Sequence, residues 1–501
     1  MTATGHERPA AATTTDPTRE PSSANRPAPP PVPTRTPARR GWFAPMLLRL
    51  HFFAGVLVGP FVLVAALTGA AYALTPTLEQ VVYDRELHAP VSGAALPLAD
   101  QIAAADEAVG DGGTLVAVRP APTPGDTTRV MYTGDDLIEG QTRAIFVDPA
   151  TAEVRGDLPV YGTSGALPLR TTISDLHRSL GLGDAGRLYS ELAASWLGVV
   201  VLAGLGLWIG RWRSARRRGR TTRDLLRPAP RSSGLRRISS WHASTGVWLT
   251  VGALFLSATG ITWSQFGGAN VTSVRSALSW TAPTLPTAVG GSDADAAAGG
   301  ASDPHAGHHD AATRGTGAVD PASFDAVLAV ARTVNVNTGL VEIEPPADAA
   351  SAWTVTEIQR SFPTEVDAVA VDGATLEVVG RTDFADHPFM AKLARWGVDT
   401  HMGSMFGLPN QLLLVATALG IAAMVVFGYV MWWQRRPTRG GSRALVGRPA
   451  PAGSLTRAPW WGLTLVVAAG VAVGVFLPLL GASLVAFVLL DAIVVVARTR
   501  G

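Results

Sequence analysis

Apolar residues in this chain are gathered into six long runs that alternate with polar segments. The runs lie at about residues 44–74, 190–210, 241–266, 409–433, 460–477 and 479–497. A helix rises 1.5 Å per residue, so about 20 apolar residues cross the ~30 Å of hydrocarbon in a bilayer. The pattern predicts six membrane-spanning helices. Pro60 is expected to kink the first, and Pro478 to turn the hairpin between the last two.

Two polar segments, residues 75–187 and 319–399, contain the same order of short elements. A helical pattern comes first, and strand-like runs follow. In both segments the last two runs are joined by a turn that begins at an aspartate, Asp148 or Asp372. The predicted helices are residues 98–109 and 321–333, and the predicted strands are residues 129–132, 143–147, 152–155, 340–343, 351–358, 368–371 and 376–380. Each segment therefore predicts a small α+β insert.

The remaining polar stretches carry no periodic pattern. Residues 1–41 are rich in Pro, Thr, Ala and Arg, and residues 267–318 hold a Gly/Ala/Asp/His tract. Such compositions cannot bury enough apolar surface to fold. We expect a disordered tail and a flexible linker.

Four histidines fall at duplicated positions. His51 and His242 each open an apolar run, and in both cases Gly follows by 4 residues and Thr-Gly by 17 and 18. His177 and His401 each precede a run in which Gly, Trp and Arg follow the histidine by 27, 31 and 34 residues. The chain is therefore predicted to contain, twice, a unit of histidine-bearing helix, polar insert and histidine-bearing helix.

Composition and charge agree with a membrane protein. Hydrophobic residues make up 47% of the chain and the mean hydropathy is +0.22. The net charge of +2 hides Arg-rich segments before run one, after runs two and four, and at the end. With six spans these segments share one side, which predicts cytoplasmic termini and external inserts. The absence of Cys excludes disulfides, iron–sulfur clusters and covalently attached haem, and the arginines do not indicate a nucleic-acid partner.

The spans and the segments before them resemble a known family. The resemblance lies in LHFFAGVLVGPFVLVAALTG and WHASTGVWLTVGALFLSATG for spans one and three, and in DLHRSLGLGDAGRLYSELAA and DTHMGSMFGLPNQLLLVAT before spans two and four. These sequences are similar to PepSY-associated transmembrane proteins, which include bacterial iron-regulated membrane proteins and inner-membrane ferrisiderophore reductases. The resemblance covers roughly residues 49–436. It implies b-type haem bound through membrane histidines, and it makes the two inserts PepSY-like; the 288–319 linker and the last hairpin depart from the four-span pattern.

The duplicated histidines are the candidate haem-iron ligands. An ionisable residue in a span is costly unless something compensates, and imidazole is a standard axial ligand of haem iron. His51 and His242 are expected near the cytoplasmic side, and His177 and His401 near the external side. A two-fold relation between the copies would bring each pair to one iron, which predicts an inner and an outer haem b. The alternative is that these histidines only bond to neighbouring helices.

Further residues near the histidines complete the candidate site. Glycines after His177 and His401 indicate a helix break, which would place both on short interfacial helices. Four arginines are candidates to pair with haem propionates; they are Arg49, Arg237, Arg178 and Arg395. The other notable polar residues are predicted to be loop, linker or snorkelling residues without a ligand role; they are His88, His387, His305, His308, His309 and Asp491.

Together these features predict an all-α polytopic membrane protein with six spans, an internal duplication and two small external α+β PepSY-like inserts, in the cell membrane. The expected function is a di-haem b electron conduit in contact with membrane lipid. A cytoplasmic reductase or quinol would donate electrons to it, and an external ferric chelate would accept them. No nucleotide-binding motif is present, so the donor must be another molecule.

Two alternatives remain at this point. In the first, the protein is not an enzyme, and its inserts bind a peptide, a protease or an envelope partner. In the second, it transports an iron chelate. Transport has less support because no run contains the paired charges or the broken helix expected of a binding site at the membrane midplane.

Overall fold

The computed structural model describes residues 41–229, 231–290, 319–436 and 455–500. Nearly all of the predicted tail lies outside these ranges. So do most of the predicted linker, with His305, His308 and His309, and the side chain of Asp491.

Helices and strands alternate along the chain in two similar series. The helices are α1 (Phe43–Leu57), α2 (Gly59–Ala73), α3 (Thr75–Val82), α4 (Asp84–Leu87), α5 (Leu98–Val109), α6 (Pro168–Ser179), α7 (Gly183–Arg216), α8 (Arg223–Leu226), α9 (Gly234–Thr262), α10 (Gln265–Ala277), α11 (Ala322–Val334), α12 (Phe389–His401), α13 (Gly407–Gln434), α14 (Trp460–Phe476) and α15 (Pro478–Arg500). The strands are β1 (Thr114–Arg119), β2 (Thr128–Thr133), β3 (Gln141–Val147), β4 (Val154–Tyr161), β5 (Val341–Glu344), β6 (Trp353–Glu357), β7 (Ala368–Val371) and β8 (Val378–Thr382).

The apolar runs form a helical bundle of membrane-spanning dimensions. In the described residues, α7, α9 and α13 are each long and apolar enough to cross a membrane, and α1 and α2 together make a fourth, bent candidate. These helices pack on one another along a core of small and branched apolar side chains. The predicted fifth and sixth spans form a hairpin of shorter apolar helices. The chain is thus a helical membrane protein with three, or up to four, candidate spans.

The third predicted span ends earlier than its apolar run. Helix α9 ends at Thr262. Ser264 then caps the start of α10, and its side chain accepts a hydrogen bond from the Gly268 N–H. Glu191 of α7, fully buried, also accepts bonds from the N–H groups of Phe266 and Gly267. These bonds satisfy the first N–H groups of α10. The prediction of a continuous helix to residue 266 is wrong because it ignored the serine cap.

The first candidate span is bent by 62° at Val58, between α1 and α2. Pro60 has no N–H, so the Val56 carbonyl four residues earlier loses its helical partner. The Tyr429 hydroxyl donates to that carbonyl at 2.6 Å, and its ring lies against Gly59. The predicted kink is therefore present. The first candidate span is thus broken as well as kinked, a feature expected of a transporter, although the carbonyl freed at the break is already bonded by a tyrosine.

Replacing Tyr429 with Phe is expected to lower the free energy of unfolding by about 1–2 kcal/mol, because a buried carbonyl would be left without a donor. Thermal unfolding in detergent measures the change. Helical content at 222 nm should stay the same, since the ring remains in place. An unchanged melting temperature would mean that another donor satisfies the Val56 carbonyl.

The two polar inserts share a single antiparallel sheet. Its strand order is β4-β3-β2-β1-β5-β6-β7-β8, and the two inserts meet where β1 pairs with β5 through Val118 and Ile343. Helices α5 and α11 pack on one face over a common core. The Asp325 carboxylate of α11 accepts a bond from the Leu98 N–H at the start of α5. The sequence predicted two inserts but neither strand β1 nor the joint between them.

The opposite face of the sheet carries a second, smaller core. Its buried residues come from the sheet and from the segments that leave the bundle, among them Leu87, Met131, Phe146 and Leu167. Glu79 of α3 anchors this junction, since it accepts a bond from the Leu167 N–H and pairs with an arginine of α6. The sheet is thereby attached near the start of α6, the helix that holds His177.

Candidate functional site

His51 and His242 lie side by side in the bundle. His51 is in α1 and His242 in α9, and their ring centroids are 6.0 Å apart with the planes at 79°. The His51 Nδ1–H donates to the Val200 carbonyl of α7 at 2.9 Å. A carbonyl can only accept, so this bond fixes the tautomer and leaves the lone pair on His51 Nε2.

The surroundings of this inner pair leave room for the rings. A Cβ added to Gly204 of α7 would lie 3.0 Å from His51 Cε1, so any larger residue would crowd the ring in this position. His242 Nδ1 is buried and has no hydrogen-bond partner among the described residues. A buried ring nitrogen without a partner is costly and is readily satisfied by a bound group.

His177 and His401 end two short helices next to the bundle. His177 is in the last turn of α6 and His401 is the last residue of α12. Each precedes a long helix, with a break marked by Leu180 in the left-handed region or by Gly403. The glycine pattern had predicted such breaks and a place on short helices for both histidines.

Two threonines hold these outer histidines in matching ways. Thr68 Oγ1 lies 3.0 Å from His177 Nδ1, and Thr259 Oγ1 lies 2.6 Å from His401 Nδ1. Each hydroxyl donates its single hydrogen to a carbonyl four residues earlier, Val64 or Phe255. With its hydrogen on a carbonyl, each threonine oxygen can accept from Nδ1–H, an arrangement that leaves the lone pair on Nε2 of the histidine.

Burial favours the neutral form of both outer imidazoles. Burial lowers the pKa of His177, and burial together with the nearby His177 lowers the pKa of His401 to about 3. The Trp263 ring meets His401 edge-on at 4.9 Å. A Cβ added to Gly69 would lie 3.0 Å from His177 Cε1, as at Gly204 for His51. Neutral imidazole is the form that binds a metal.

The four arginines predicted to pair with propionates have different surroundings. Arg49 is buried, with its guanidinium 4.8 Å above the Phe53 ring, whereas Arg237 is exposed at the start of α9. Arg178 lies 5.7 Å from the Tyr161 ring centroid. The fourth, Arg395, already pairs with a carboxylate, as described next.

Asp399 is the buried anchor beside the outer pair. It is fully buried, accepts a bond from Arg395 Nε at 2.8 Å, and lies 3.6 Å from Arg360 Nη1. Burial and the neighbouring Arg395 lower the pKa of Arg360 to about 10, while Asp399 acts in the opposite direction. No local sequence pattern predicts this contact, because Asp399 and Arg360 are brought together only by the fold.

More arginines surround this junction between sheet and bundle. Arg119 pairs with Glu342 at 2.7 Å, and Arg170 pairs with Glu79. Burial and the neighbouring Arg119 lower the pKa of Arg129 to about 10. The described junction therefore gathers several arginines, of which Arg119 and Arg170 already pair with glutamates.

The remaining described histidines do not join these pairs. His88 pairs with Asp126 at 3.2 Å and bonds to Gln80 at 3.2 Å. The His387 ring packs on Phe384, with centroids 5.3 Å apart. Both have the loop positions predicted from the sequence.

These features define a helical membrane protein with paired histidines in and beside its bundle and a joined sheet outside it. The model of the family described as the PepSY-associated TM region matches residues 48–435. The match spans more than half of the chain, so the chain belongs to this family, as the resemblance in its spans predicted. No curated protein matches it.

Proposed function

We propose that this protein is a membrane electron-transfer protein that binds two haem b groups and reduces an external ferric chelate. The 6.0 Å between the His51 and His242 ring centroids carries the proposal. Rings this close would both reach one haem iron through a ring nitrogen, since metal–nitrogen bonds are about 2 Å long. Because the Val200 carbonyl holds His51 Nδ1–H, the other ring nitrogen is available to the metal.

The outer pair fits the same role through its threonines. Ligating histidines commonly donate their second ring nitrogen to an acceptor, which fixes the ring and raises its basicity. Thr68 and Thr259 are such acceptors for His177 and His401. We therefore assign one haem to each pair.

The arginines near each pair would bind the propionates. Arg178 and Arg395 lie on the helices of the outer pair, and Arg49 and Arg237 lie on those of the inner pair. Arg178 is weakly held, because its guanidinium packs on the Tyr161 ring and makes two 3.5 Å bonds to the Tyr161 hydroxyl. Arg395 would share its charge between Asp399 and the ligand.

Bound haem supplies one-electron chemistry, in which each ferric ion that leaves as ferrous takes up one electron. The residues of the chain hold the rings, keep the ligating imidazoles neutral and exclude water with apolar helices. The chain carries no nucleotide-binding motif, so a cytoplasmic reductase or membrane quinol is the proposed donor.

The same proposal includes the topology. Six spans, with α14 and α15 as the last two, put the Arg-rich segments on the cytoplasmic face of the cell membrane and the sheet outside. Two observations support an origin by duplication. The threonine–histidine bond occurs once in each half, and each insert supplies one helix and four strands to the sheet in the same order.

A reduced-minus-oxidised visible spectrum of the purified protein tests this function. Sharp b-type bands and about two haems per chain in a pyridine haemochrome assay are expected, followed by re-oxidation when a ferric chelate is added. A featureless spectrum from protein produced with ample haem would contradict the proposal. It would favour the reading in which the inserts bind a peptide, a protease or an envelope partner.

Replacing Gly204 with Ala is expected to displace the His51 ring and remove low-spin haem from the inner site, because the new Cβ would lie 3.0 Å from Cε1. The visible spectrum measures the loss. Gly428 is the matched control, since it follows His401 by the same 27 residues as Gly204 follows His177, and a Cβ there meets nothing within 4 Å. Equal spectra for the two variants would show that the ring does not need the space at Gly204.

A further inference from the structure

Three carboxylates form a cluster at the base of the connection between β6 and β7. Glu357 ends β6, and Glu365 and Asp367 precede β7. One oxygen from each lies within 4.8 Å of the others. The three side chains range from fully buried, at Glu357, to half-buried, at Glu365.

Glu357, a member of this cluster, has an unsatisfied carboxylate oxygen. Its Oε1 accepts bonds from the N–H groups of Asn337 and Thr338 at 2.6 and 2.7 Å. Its Oε2 has no hydrogen-bond partner among the described residues. Water does not reach this oxygen, because the residue is 0% exposed. A buried carboxylate oxygen without a partner is costly, and a bound cation removes that cost.

The surrounding charges do not neutralise the cluster. Burial and the other two carboxylates raise the pKa of Glu365. Arg381 is close enough to interact electrostatically with Asp367, but its guanidinium already pairs with Asp383 at 2.8 Å. Even if the three carboxylates shared one proton, two negative charges would remain, which matches the charge of one divalent cation.

We propose that Glu357, Glu365 and Asp367 bind one Ca²⁺ ion. The donors are all oxygens, which suit a hard cation, and Ca²⁺–O bonds of about 2.4 Å allow ligand oxygens to be up to roughly 4.8 Å apart. Ca²⁺ takes 6–8 oxygens, so water completes the shell on the accessible side of Glu365. This site is separate from the histidine pairs and does not depend on the haem proposal.

The ion would fix residues 358–367, here called the β6–β7 hairpin, against the bundle. Glu357 directly precedes this hairpin, and Glu365 and Asp367 lie at its other end. The middle of the hairpin contacts the connection between α12 and α13. The Phe362 N–H donates to the Met405 carbonyl at 2.8 Å, and Arg360 reaches Asp399. Closing the base of the hairpin therefore holds Arg360 beside the helix that ends at His401.

Flow dialysis with ⁴⁵Ca²⁺ on the full-length protein in dodecyl maltoside, after removal of metal with EDTA, tests the site. One saturable site is expected, with a Kd of about 10⁻⁴–10⁻³ M as in extracellular calcium modules. Glu357→Gln and Asp367→Asn should each weaken binding at least about tenfold. Both substitutions keep an oxygen for the backbone N–H bonds made by Oε1 of Glu357 and Oδ1 of Asp367, so the fold is retained.

Glu377→Gln is the matched control, because it removes one exposed negative charge from the turn between β7 and β8. It should bind Ca²⁺ as the wild type does. Hydrogen exchange of residues 358–367 should slow on addition of Ca²⁺ in the wild type and not in Glu357→Gln. The proposal is overturned by the absence of a saturable site, by equal binding in Glu357→Gln and wild type, or by exchange that Ca²⁺ leaves unchanged.

Discussion

Replacing His51 with Ala is expected to reduce six-coordinate low-spin haem from two to one per chain, and replacing His242 in the same chain should cause no further loss. The reason is the inner pair, in which two rings 6.0 Å apart are proposed to share one iron. Removing either ring ends the low-spin state of that site, so the second substitution has nothing left to remove. His177 and His401 should behave in the same way for the outer site.

The decisive comparison is between double variants. His51→Ala with His242→Ala should keep one low-spin haem, whereas His51→Ala with His177→Ala should keep none. The reduced visible spectrum and the pyridine haemochrome assay measure both. His88→Ala is the control, because His88 pairs with Asp126 outside the bundle. If the two double variants retained equal low-spin haem, the pairing of ligands proposed from the geometry would be wrong.

Asp399→Asn is expected to lower the free energy of unfolding by about 3–5 kcal/mol. Burial raises the pKa of Asp399 more than its arginines lower it, so the buried ion pair itself is no great source of stability. Its loss is nevertheless severe, because Arg395 and Arg360, whose side chains are only 19% and 20% exposed, would lose their carboxylate. Thermal unfolding in detergent measures the change, and low-spin haem of the outer site should fall with it, since Asp399 lies two residues before His401.

Asp383→Asn provides the matched control for this variant. Asp383 also pairs with an arginine, Arg381, but that side chain is 53% exposed and its charge stays hydrated when the carboxylate is removed. The expected loss is at most about 1 kcal/mol. Similar melting temperatures for the two variants would show that Asp399 does not anchor the junction.

Local patterns were enough to predict most elements of this fold. Helix α5 and strand β7 have the predicted bounds, because each lies in a short segment with clear periodicity and turn residues on both sides. The pairing of β1 with β5 was not predictable in this way. It joins Val118 to Ile343 across two spans and a linker, and no local pattern reports a contact of that sequence separation.

The candidate site was predictable only in its duplicated residues. Repeated spacing identified the four histidines and also Thr68 and Thr259, but the threonines gained a role only when the fold placed them beside Nδ1 of the outer histidines. The bond from His51 goes to the carbonyl of Val200, and any residue type supplies a carbonyl. Backbone acceptors leave no trace in a single sequence.

The joint between β1 and β5 also bears on how such a chain arises. Two equivalent edge strands that pair antiparallel form the kind of contact through which identical subunits meet across a two-fold axis. A protein containing one insert and two spans would expose that edge, and exposed edges recruit a second copy. If the proposed duplication occurred, the joined sheet would preserve the interface of a symmetric homodimer within one polypeptide, and each half would be free to change without the other.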